Sequence, residues 1–417
     1  MEMQMEVTSR ETIEPSSPTP HRLKTFDLCL LDQMSPMHHA PVVFFYPNDP
    51  TRDLSLKFER ISCTLKKSLS EDLTRLYPLT GRLGKNNLYI DCNDAGVLLL
   101  DKFVALHGVL TGLEEEAFLL GIQVNLLSCG GIVIGASGLH KATGRPDQAM
   151  QADCTAASTL FPSSNTIPTN ARMWLGNHFT KLGKCRSGRF VFDSAALSKL
   201  KLEARSESVP NPTRMEALTG FIWKHAIRAS RMLSGMQPLS AVVLPVNLRR
   251  RVEPPLPECS IGNIAWKAFA TYENTGPEVE LRDLVESVRE SFAKIDGDYV
   301  KTIRGDAAFA GISKWLEAAG RVYSKTRRVC YTFVSWCKVG FYDVEFGWGR
   351  PRWVSVGNIW DDAFKNMVIM IDVPSGYGIE AVIGLEDQEM SILDKDQEFL
   401  AFAKPQLNMV LHWRSKL

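Results

Sequence analysis

Among the eight histidines of this 417-residue chain, His140 has the setting best suited to proton transfer. It closes an apolar run that reads as a strand from Gly131 to Gly135 and continues to Leu139, and the glycine- and proline-broken Gly144-Arg145-Pro146 follows at once. That pattern puts an imidazole at a strand end facing a cleft, where ligands commonly bind. An imidazole ordinarily titrates near pH ~6.5, so it can take up and return a proton at neutral pH without a large perturbation. Judged on type and position alone, a strand-end histidine is more often a hydrogen-bonded structural residue. Both readings stand at this point.

A second concentration of unusual residues is the run Phe341-Tyr342-Asp343-Val344-Glu345-Phe346-Gly347-Trp348-Gly349-Arg350-Pro351. Its glycines permit backbone angles closed to other residues, and its aromatics can pack on that tight backbone. Other chemistries lack their patterns. No Gly-x-Ser-x-Gly is present, which argues against a serine hydrolase, and there is no Gly-rich phosphate loop. The histidines have no ligand spacing apart from the adjacent His38-His39, which sits in a Pro-rich segment and reads as a solvated loop. The nine cysteines, at 29, 63, 92, 129, 154, 185, 259, 330 and 337, form no Cys-x-x-Cys pair and read as reduced thiols.

The elements that must position these groups follow from periodicity and punctuation. Pro15-Ser16-Ser17-Pro18-Thr19-Pro20 excludes helix and reads as an extended arm into a strand near Leu23 to Leu28. A short apolar strand follows at Pro41 to Tyr46. Leu54 to Leu76 has helical spacing, with Leu56, Phe58, Ile61, Leu65 and Leu69 on one face. Strands are predicted at Leu88-Tyr89-Ile90 and Val97 to Leu100, joined by Asn93-Asp94-Ala95-Gly96 as a hairpin turn in composition. Another hairpin signal, Ser128-Cys129-Gly130-Gly131, joins Gly121 to Leu127 with the strand that delivers His140. A new helix can start with Pro146 in its first position. Leu160 to Gly188 is rich in Pro, Ser, Asn, Gly and Thr and reads as a crossover between two halves. The second half opens with a strand at Arg189 to Phe192 and a helix from Ser194 to Glu207. Thr213-Arg214-Met215-Glu216 is a capping box for a long helix through Met232. A strand at Ser240 to Val246, a helix at Val279 to Asp296 and strands at Val368 to Asp372 and Glu380 to Ile383 complete a mixed α+β pattern without internal repeat.

Composition bounds the function class. Hydrophobic content of 45% and charged content of 23% are ordinary for a soluble globular protein, and the length suits two domains. A net charge of +1 points to neither nucleic acid nor an anionic membrane as partner. No apolar stretch is long enough to span a bilayer, and the polar start, with Glu2, Glu6, Glu11 and Glu14, lacks the apolar segment of a secretory signal. The default location is the cytoplasm.

The 341–351 run resembles the Asp-Phe-Gly-Trp-Gly signature of the BAHD family of plant acyl-CoA-dependent acyltransferases, with Glu345 where the family has Asp. Cys129-Gly130-Gly131-Ile132-Val133-Ile134-Gly135 through His140-Lys141 resembles the stretch leading into that family's His-x-x-x-Asp. Further landmarks, in family order, are Pro15 to Pro20, Tyr77 to Arg82, Asp91 to Gly96, Phe221 to His225 and Val246-Asn247-Leu248-Arg249. The resemblance spans nearly the whole chain and falls nearest the alkaloid O-acetyltransferases.

What the resemblance implies is an α/β fold with mixed α+β sheets, built as two chloramphenicol-acetyltransferase-like domains with an active-site channel between them. Residues 1–160 form the first domain, 161–188 the crossover and 189–417 the second. His140 is implied as general base, deprotonating the hydroxyl of a small-molecule acceptor that then attacks the thioester of acyl-CoA, here acetyl-CoA, in a ternary complex. Trp336, with Ser335, is implied as an oxyanion or substrate contact, although an indole at this position is also explained as an ordinary core aromatic. Arg249, Asp147, Glu345, Phe346, Gly347, Trp348 and Gly349 are implied as structural support. Acyl-CoA is a co-substrate, and no bound cofactor, metal, nucleic acid or membrane is implied; the molecule is expected to be a monomer. Lys181, Lys184, Arg186 and Arg189 can meet CoA phosphates or form a solvated basic run.

Besides Glu345, the chain departs from the family pattern in four places. Gly144 stands where the family has the Asp that pairs with the arginine matching Arg249. Asp147, three residues on, is either its substitute in a rebuilt loop or a charge in the first turn of the next helix. Val334 stands where relatives have Thr, which removes one hydrogen-bond donor. Finally, the stretches from Leu100 to Gly121 and from His140 to Phe161 are shorter than the family pattern. The alternative function these departures carry is a catalytically impaired or silent homologue.

Overall fold

A computed structural model describes residues 9–35, 39–48, 55–84, 87–101, 118–127, 130–139, 156–163, 185–235, 239–257, 260, 262–274, 276, 278–324, 328–356 and 365–406. The mixed α/β architecture rests on two large sheets. One has six strands in the order β1 (Ser9–Ile13), β6 (Val97–Asp101), β7 (Leu120–Leu126), β8 (Ile132–Leu139), β3 (His39–Tyr46) and β13 (Trp353–Val356). The other has seven, in the order β11 (Ala265–Tyr272), β10 (Leu239–Asn247), β12 (Arg328–Ser335), β14 (Met367–Asp372), β15 (Ile379–Glu386), β9 (Cys185–Phe192) and β16 (Lys404–Gln406). A small third sheet joins β2 (Thr25–Asp27), β5 (Tyr89–Asp91) and β4 (Arg82–Leu83). No helix among the described residues is long and apolar enough to cross a membrane.

The central strands show why the sheets form where they do. In β8 and β15 nearly every residue is shielded from solvent, which suits strands covered on both faces and matches their near-continuous apolar sequences. One face of the seven-stranded sheet carries the main core, where the helix Arg214–Ser234 packs with the helices Ser194–Glu203, Leu281–Ala293 and Asp387–Leu393. Trp223 is fully buried there and donates its indole N–H to Ser240 Oγ at 2.7 Å. Burial of an aromatic of this size is worth roughly 1.5–3 kcal/mol, and the hydrogen bond leaves no penalty for the ring nitrogen. The Thr213 capping box forms as expected: Glu216 N donates to Thr213 Oγ1 at 3.2 Å, and Thr213 N to Glu216 Oε2 at 2.7 Å.

The opposite face of this sheet meets the other half of the molecule. Val334, Trp336, Ile369, Ile371 and Val382 form an inner apolar layer with Val356 of β13 and with Phe341. β13 lies late in the chain but belongs to the first sheet, where Val356 pairs with Val42 and Trp353 with Phe45 of β3. One face of that first sheet is covered by the helix Ser55–Arg75 through Ile61, Leu65, Leu69 and Leu73, together with Phe341, Tyr342, Val344 and Trp348.

Two local expectations are corrected, and one strand had no forewarning. Asn93 to Gly96 does not close a hairpin, because β5 and β6 lie in different sheets. Asp94 (φ 59°) and Gly96 (φ 79°) turn the chain between them, and Asp94 is held by Thr19 N at 3.1 Å and Lys24 Nζ at 2.6 Å. Ahead of the Pro15–Pro20 arm a strand that the sequence did not reveal, β1, pairs with β6. His39 is not in a solvated loop: it begins β3 opposite Leu139, and its Nε2 lies 3.1 Å from the carbonyl of Phe118. His38 and the expected helix at Pro146 lie outside the described residues.

Candidate active site

The strand predicted to deliver His140 forms in full. β7 and β8 make the hairpin, with Leu126 opposite Ile132, and β8 runs to Leu139. His140, Gly144 and Asp147 lie outside the described residues, as do Lys181 and Lys184. The strand end can nevertheless be placed. Leu139 is buried with Leu28, Ile90, Cys92 and Leu119. Its cross-strand neighbour His39 has its pKa lowered by burial, an effect the contact with the Phe118 carbonyl partly opposes. Leu139 is therefore paired across the strands with a desolvated imidazole that favours its neutral form.

Arg249 follows Asn247-Leu248 at the end of β10 and is 3% exposed. Its guanidinium donates to Ser260 O through Nε at 3.2 Å and Nη2 at 2.6 Å, and to Gly262 O at 3.2 Å. Asn247 Oδ1 accepts from the Arg249 backbone N–H at 3.0 Å and from Nη1 at 3.4 Å. The planar fork is thus used to gather carbonyls of one turn, a geometry a lysine cannot reproduce. Gly262 has φ 124°, and a side chain there would begin 3.1 Å from Ala157 Cβ, so both conformation and space call for glycine.

A residue that sequence reasoning passed over joins this turn from the other half. Asp32, 2% exposed, lies in the short helix Leu30–Gln33. Its Oδ1 accepts from Asn263 N at 2.8 Å and Asn263 Nδ2 at 2.9 Å, and its Oδ2 from Cys29 N at 3.1 Å. The available signal was a carboxylate set among the apolar Leu28, Leu30 and Leu31, a composition that implies burial with dedicated donors.

Ser335 and Trp336 do not share a face. Trp336 packs into the inner layer, edge-on to Phe341 with centroids 5.8 Å apart, beside Val334. Ser335 is exposed, and its Oγ accepts from Cys337 N at 3.3 Å in the turn that ends β12.

The Phe-Gly-Trp-Gly loop lies at the far end of the first sheet from Leu139. Phe346 stacks on Trp348 at 5.3 Å, and both rings meet Tyr46 edge-on at 6.3 and 6.1 Å. Tyr46 donates to Val344 O at 3.3 Å. Tyr46 pairs with Ile132 and His39 with Leu139, so the loop and the His140 end are separated by the length of β3, roughly 23 Å at 3.3 Å per residue. Gly347 (φ 89°) and Gly349 (φ 106°) supply the left-handed turns that bring Phe346 and Trp348 together. Arg350 Nη1 lies 3.2 Å from Asp343 Oδ1, both side chains being well exposed, while Glu345 faces solvent.

Of the basic residues expected to meet phosphates or solvent, the two that are described, Arg186 and Arg189, pair with carboxylates. Arg186 pairs with Asp387 at 3.0 Å and Asp394 at 2.8 Å. Arg189 is buried on the inner face, pairs with Glu380, donates to Ser355 Oγ and lies 4.3 Å over the Trp353 ring. Neither expectation holds for Arg189.

Comparison with known proteins gives a consistent result. The model of the Transferase family matches residues 3–111 and 158–400. Between those stretches, 112–157 includes His140, Gly144 and Asp147, where the sequence departs from the family pattern. Akuammiline synthase 2 of Alstonia scholaris is 36% identical over 446 residues, covering 97% of each chain. That aligned span exceeds the 417 residues present here, so the alignment leaves gaps in this chain. Limonoid 7-O-acetyltransferase of Citrus sinensis is 34% identical, covering 96% of this chain and 98% of the relative. The crystal structure of vinorine synthase, an enzyme of Rauvolfia serpentina, superposes with a TM-score of 0.76 at 28% identity, covering 96% of this chain and 99% of that one.

Proposed function

Because the chain belongs to the Transferase family, the BAHD acyltransferases, we propose that it transfers an acetyl group from acetyl-CoA to a hydroxyl of a plant specialised metabolite, with His140 as general base. Similarity to acetyltransferases and synthases over nearly the whole chain carries this reading, and the intact strand ending one residue before His140 supports it. The imidazole takes the proton of the acceptor hydroxyl as its oxygen attacks the thioester carbonyl carbon. The oxyanion then collapses, the carbon–sulfur bond breaks, and the CoA thiolate takes the proton back from the imidazolium. No covalent enzyme intermediate is required, since two substrates held in one channel react as if within one molecule. The Trp336 indole N–H is the proposed donor to the oxyanion, and with Val334 beside it a second donor, worth about 3 kcal/mol in such sites, is missing. We place Arg249 in support, holding the carbonyls of Ser260 and Gly262. The acceptor class stays at an alcohol, since the relatives' names span alkaloid synthases and limonoid acetyltransferases. Residues 1–160 and 189–417 are proposed as the two domains, in a monomer of the cytoplasm.

A second reading has its own observations. Gly144, Val334 and the alignment gaps favour a catalytically impaired or silent homologue. One experiment separates the two: CoA release from acetyl-CoA with a pooled panel of plant alcohols, for the wild type and His140→Ala. The proposed base role predicts turnover in the wild type and a loss on the order of 100-fold or more in the variant. Equal, measurable rates in two folded proteins would overturn the base role of His140, and turnover in neither would favour the silent homologue.

A further inference from the structure

The Pro15–Pro20 arm takes no part in the proposed acyl transfer, yet it holds two of the chain's three Ser-Pro or Thr-Pro steps: Ser17-Pro18, Thr19-Pro20 and, further on, Ser35-Pro36. Their hydroxyls stand in different surroundings. Thr19 is 6% exposed, and its Oγ1 donates to Asp94 Oδ1. Ser35 is half-buried, and its Oγ donates to Leu31 O at 3.0 Å. Ser17 is exposed, with Ser16 and Pro18 exposed on either side of it. Among the described residues the Ser17 hydroxyl has no hydrogen-bond partner, and only its backbone N–H is engaged, with Thr74 Oγ1 at 3.3 Å. Because a proline follows, the Ser17 backbone is kept out of the helical region and the arm stays extended. Of the three steps, one therefore offers a hydroxyl to an incoming enzyme.

We propose that Ser17 is a phosphorylation site for a proline-directed protein kinase, and that its phosphate loosens the arm from the helix Ser55–Arg75. The donor is ATP. Ser17 Oγ attacks the γ-phosphorus, the bond to the β-phosphate oxygen breaks, ADP leaves, and the hydroxyl proton passes to the kinase's carboxylate base. The product carries about −1.5 to −2 charge at pH 7. That charge falls where the arm docks on the last turns of the helix. There Ser16 N donates to Ser70 O at 2.8 Å, Ser70 Oγ donates to Glu14 O at 2.8 Å, and Ser16 Oγ lies 2.9 Å from Thr74 Oγ1. A helix carries the negative pole of its dipole at this end, so an anion there is repelled. The exposed Glu71 and Asp72 add to the repulsion, and Arg75 offsets one of their two charges. Leu73, 1% exposed, keeps the helix packed on its sheet, so the arm is the part that gives way. The site is independent of the acyl-transfer reading.

The test incubates the full chain, and its Ser17→Ala variant, with ATP and a mitogen-activated protein kinase, which is proline-directed. Phosphate is located by fragmentation mass spectrometry of the arm peptides. Modification of Ser17 should run on the order of 10-fold faster than that of Thr19 or Ser35, since those two hydroxyls need local opening before a kinase reaches them. Ser17→Ala should take up no phosphate in the arm. Hydrogen exchange of the phosphorylated protein reads the second half of the proposal. The Ser16 and Ser17 amides, which now donate to Ser70 O and Thr74 Oγ1, should exchange severalfold faster, with the helix Ser55–Arg75 unchanged. Absence of phosphate on Ser17, while the same kinase modifies a standard protein substrate in parallel, would overturn the site. Phosphate placed on Thr19 or Ser35 ahead of Ser17 would overturn it equally. Phosphate on Ser17 with unchanged or slower exchange in the arm would overturn the loosening.

Discussion

The two halves are joined at opposite ends of β3, and the joints are built from different materials. Near the His39 end the contact is a buried carboxylate, an amide and a guanidinium meeting a turn of backbone. Near the Phe45 end, Trp353 stacks on Phe45 at 4.6 Å, Arg189 covers the Trp353 ring, Glu380 pairs with Arg189, and the Phe346 and Trp348 rings close over Tyr46. Hydrogen bonds to a carboxylate fix position to a few tenths of an ångström, whereas aromatic faces supply area and tolerate sliding. The first joint lies by the strand end at Leu139, which packs on Leu28 and pairs with His39. At the second joint, roughly 20 Å away along β3, cohesion is what the structure needs.

The sharpest way to break this division is at Glu380. Burial pushes its carboxyl up from the ordinary range and pulls the Arg189 guanidinium down, so desolvation outweighs the mutual attraction of the pair. Removing one partner strands the other: Glu380→Ala should cost about 3–5 kcal/mol in urea unfolding. Replacing both, as Arg189→Met with Glu380→Leu, should recover most of that loss. In either variant kcat per folded molecule should match the wild type. A drop in kcat with the double replacement would show that the aromatic joint also positions the chemistry.

Trp348→Ala comes next. The ring is half-buried, so the loss should be about 2 kcal/mol, below the 3–5 kcal/mol of fully buried aromatics. Among the described residues its buried indole nitrogen has no hydrogen-bond partner, so truncation is expected to lose packing rather than a hydrogen bond. Unfolding midpoints would measure the effect, and a change in KM for acetyl-CoA would contradict a purely cohesive role.

The same contrast governs what the sequence reveals. Elements stabilised by their own periodicity were legible: Ser55–Arg75 and Arg214–Ser234 lie close to their expected bounds, and the Thr213–Glu216 box closes. β13 was not, because four residues gain strand character only by pairing with β3, some 300 positions away, a contact no local pattern encodes. The helix Ala308–Ser324 was also missed; Gly311 and Gly320 lower its local propensity, and tertiary packing of Ile312, Trp315 and Ala319 overrides them. Asn93 to Gly96 has the composition of a hairpin but serves a change of sheet, since the partners of its flanking strands are remote. At the candidate site, family resemblance named Arg249, which the structure buries, and His140, which lies outside the described residues. The Asp32–Asn263 contact was not legible, because it exists only once the halves meet.

Acidity offers the subtlest test, because the two joints titrate in opposite senses. His39 is held neutral by burial, with its pKa lowered from the ordinary 6.5, while the unfolded chain takes up the proton at that ordinary value. Its contribution is therefore present above pH 6.5 and is lost as pH falls through the lowered folded-state pKa. Glu380 is the reverse: its pKa is raised from 4.5, so its contribution is full below that value and is lost as pH rises through the folded-state pKa. Each slope is bounded by about 1.4 kcal/mol per pH unit for one proton. Urea midpoints taken from about pH 4 to about pH 8 should show His39→Asn flattening the fall on the acid side of 6.5. Glu380→Gln should flatten the decline that begins above 4.5, leaving the acid-side fall in place. If both variants flattened the same limb, the two joints would be one electrostatic unit, and the separation of positioning from cohesion along β3 would have to be abandoned.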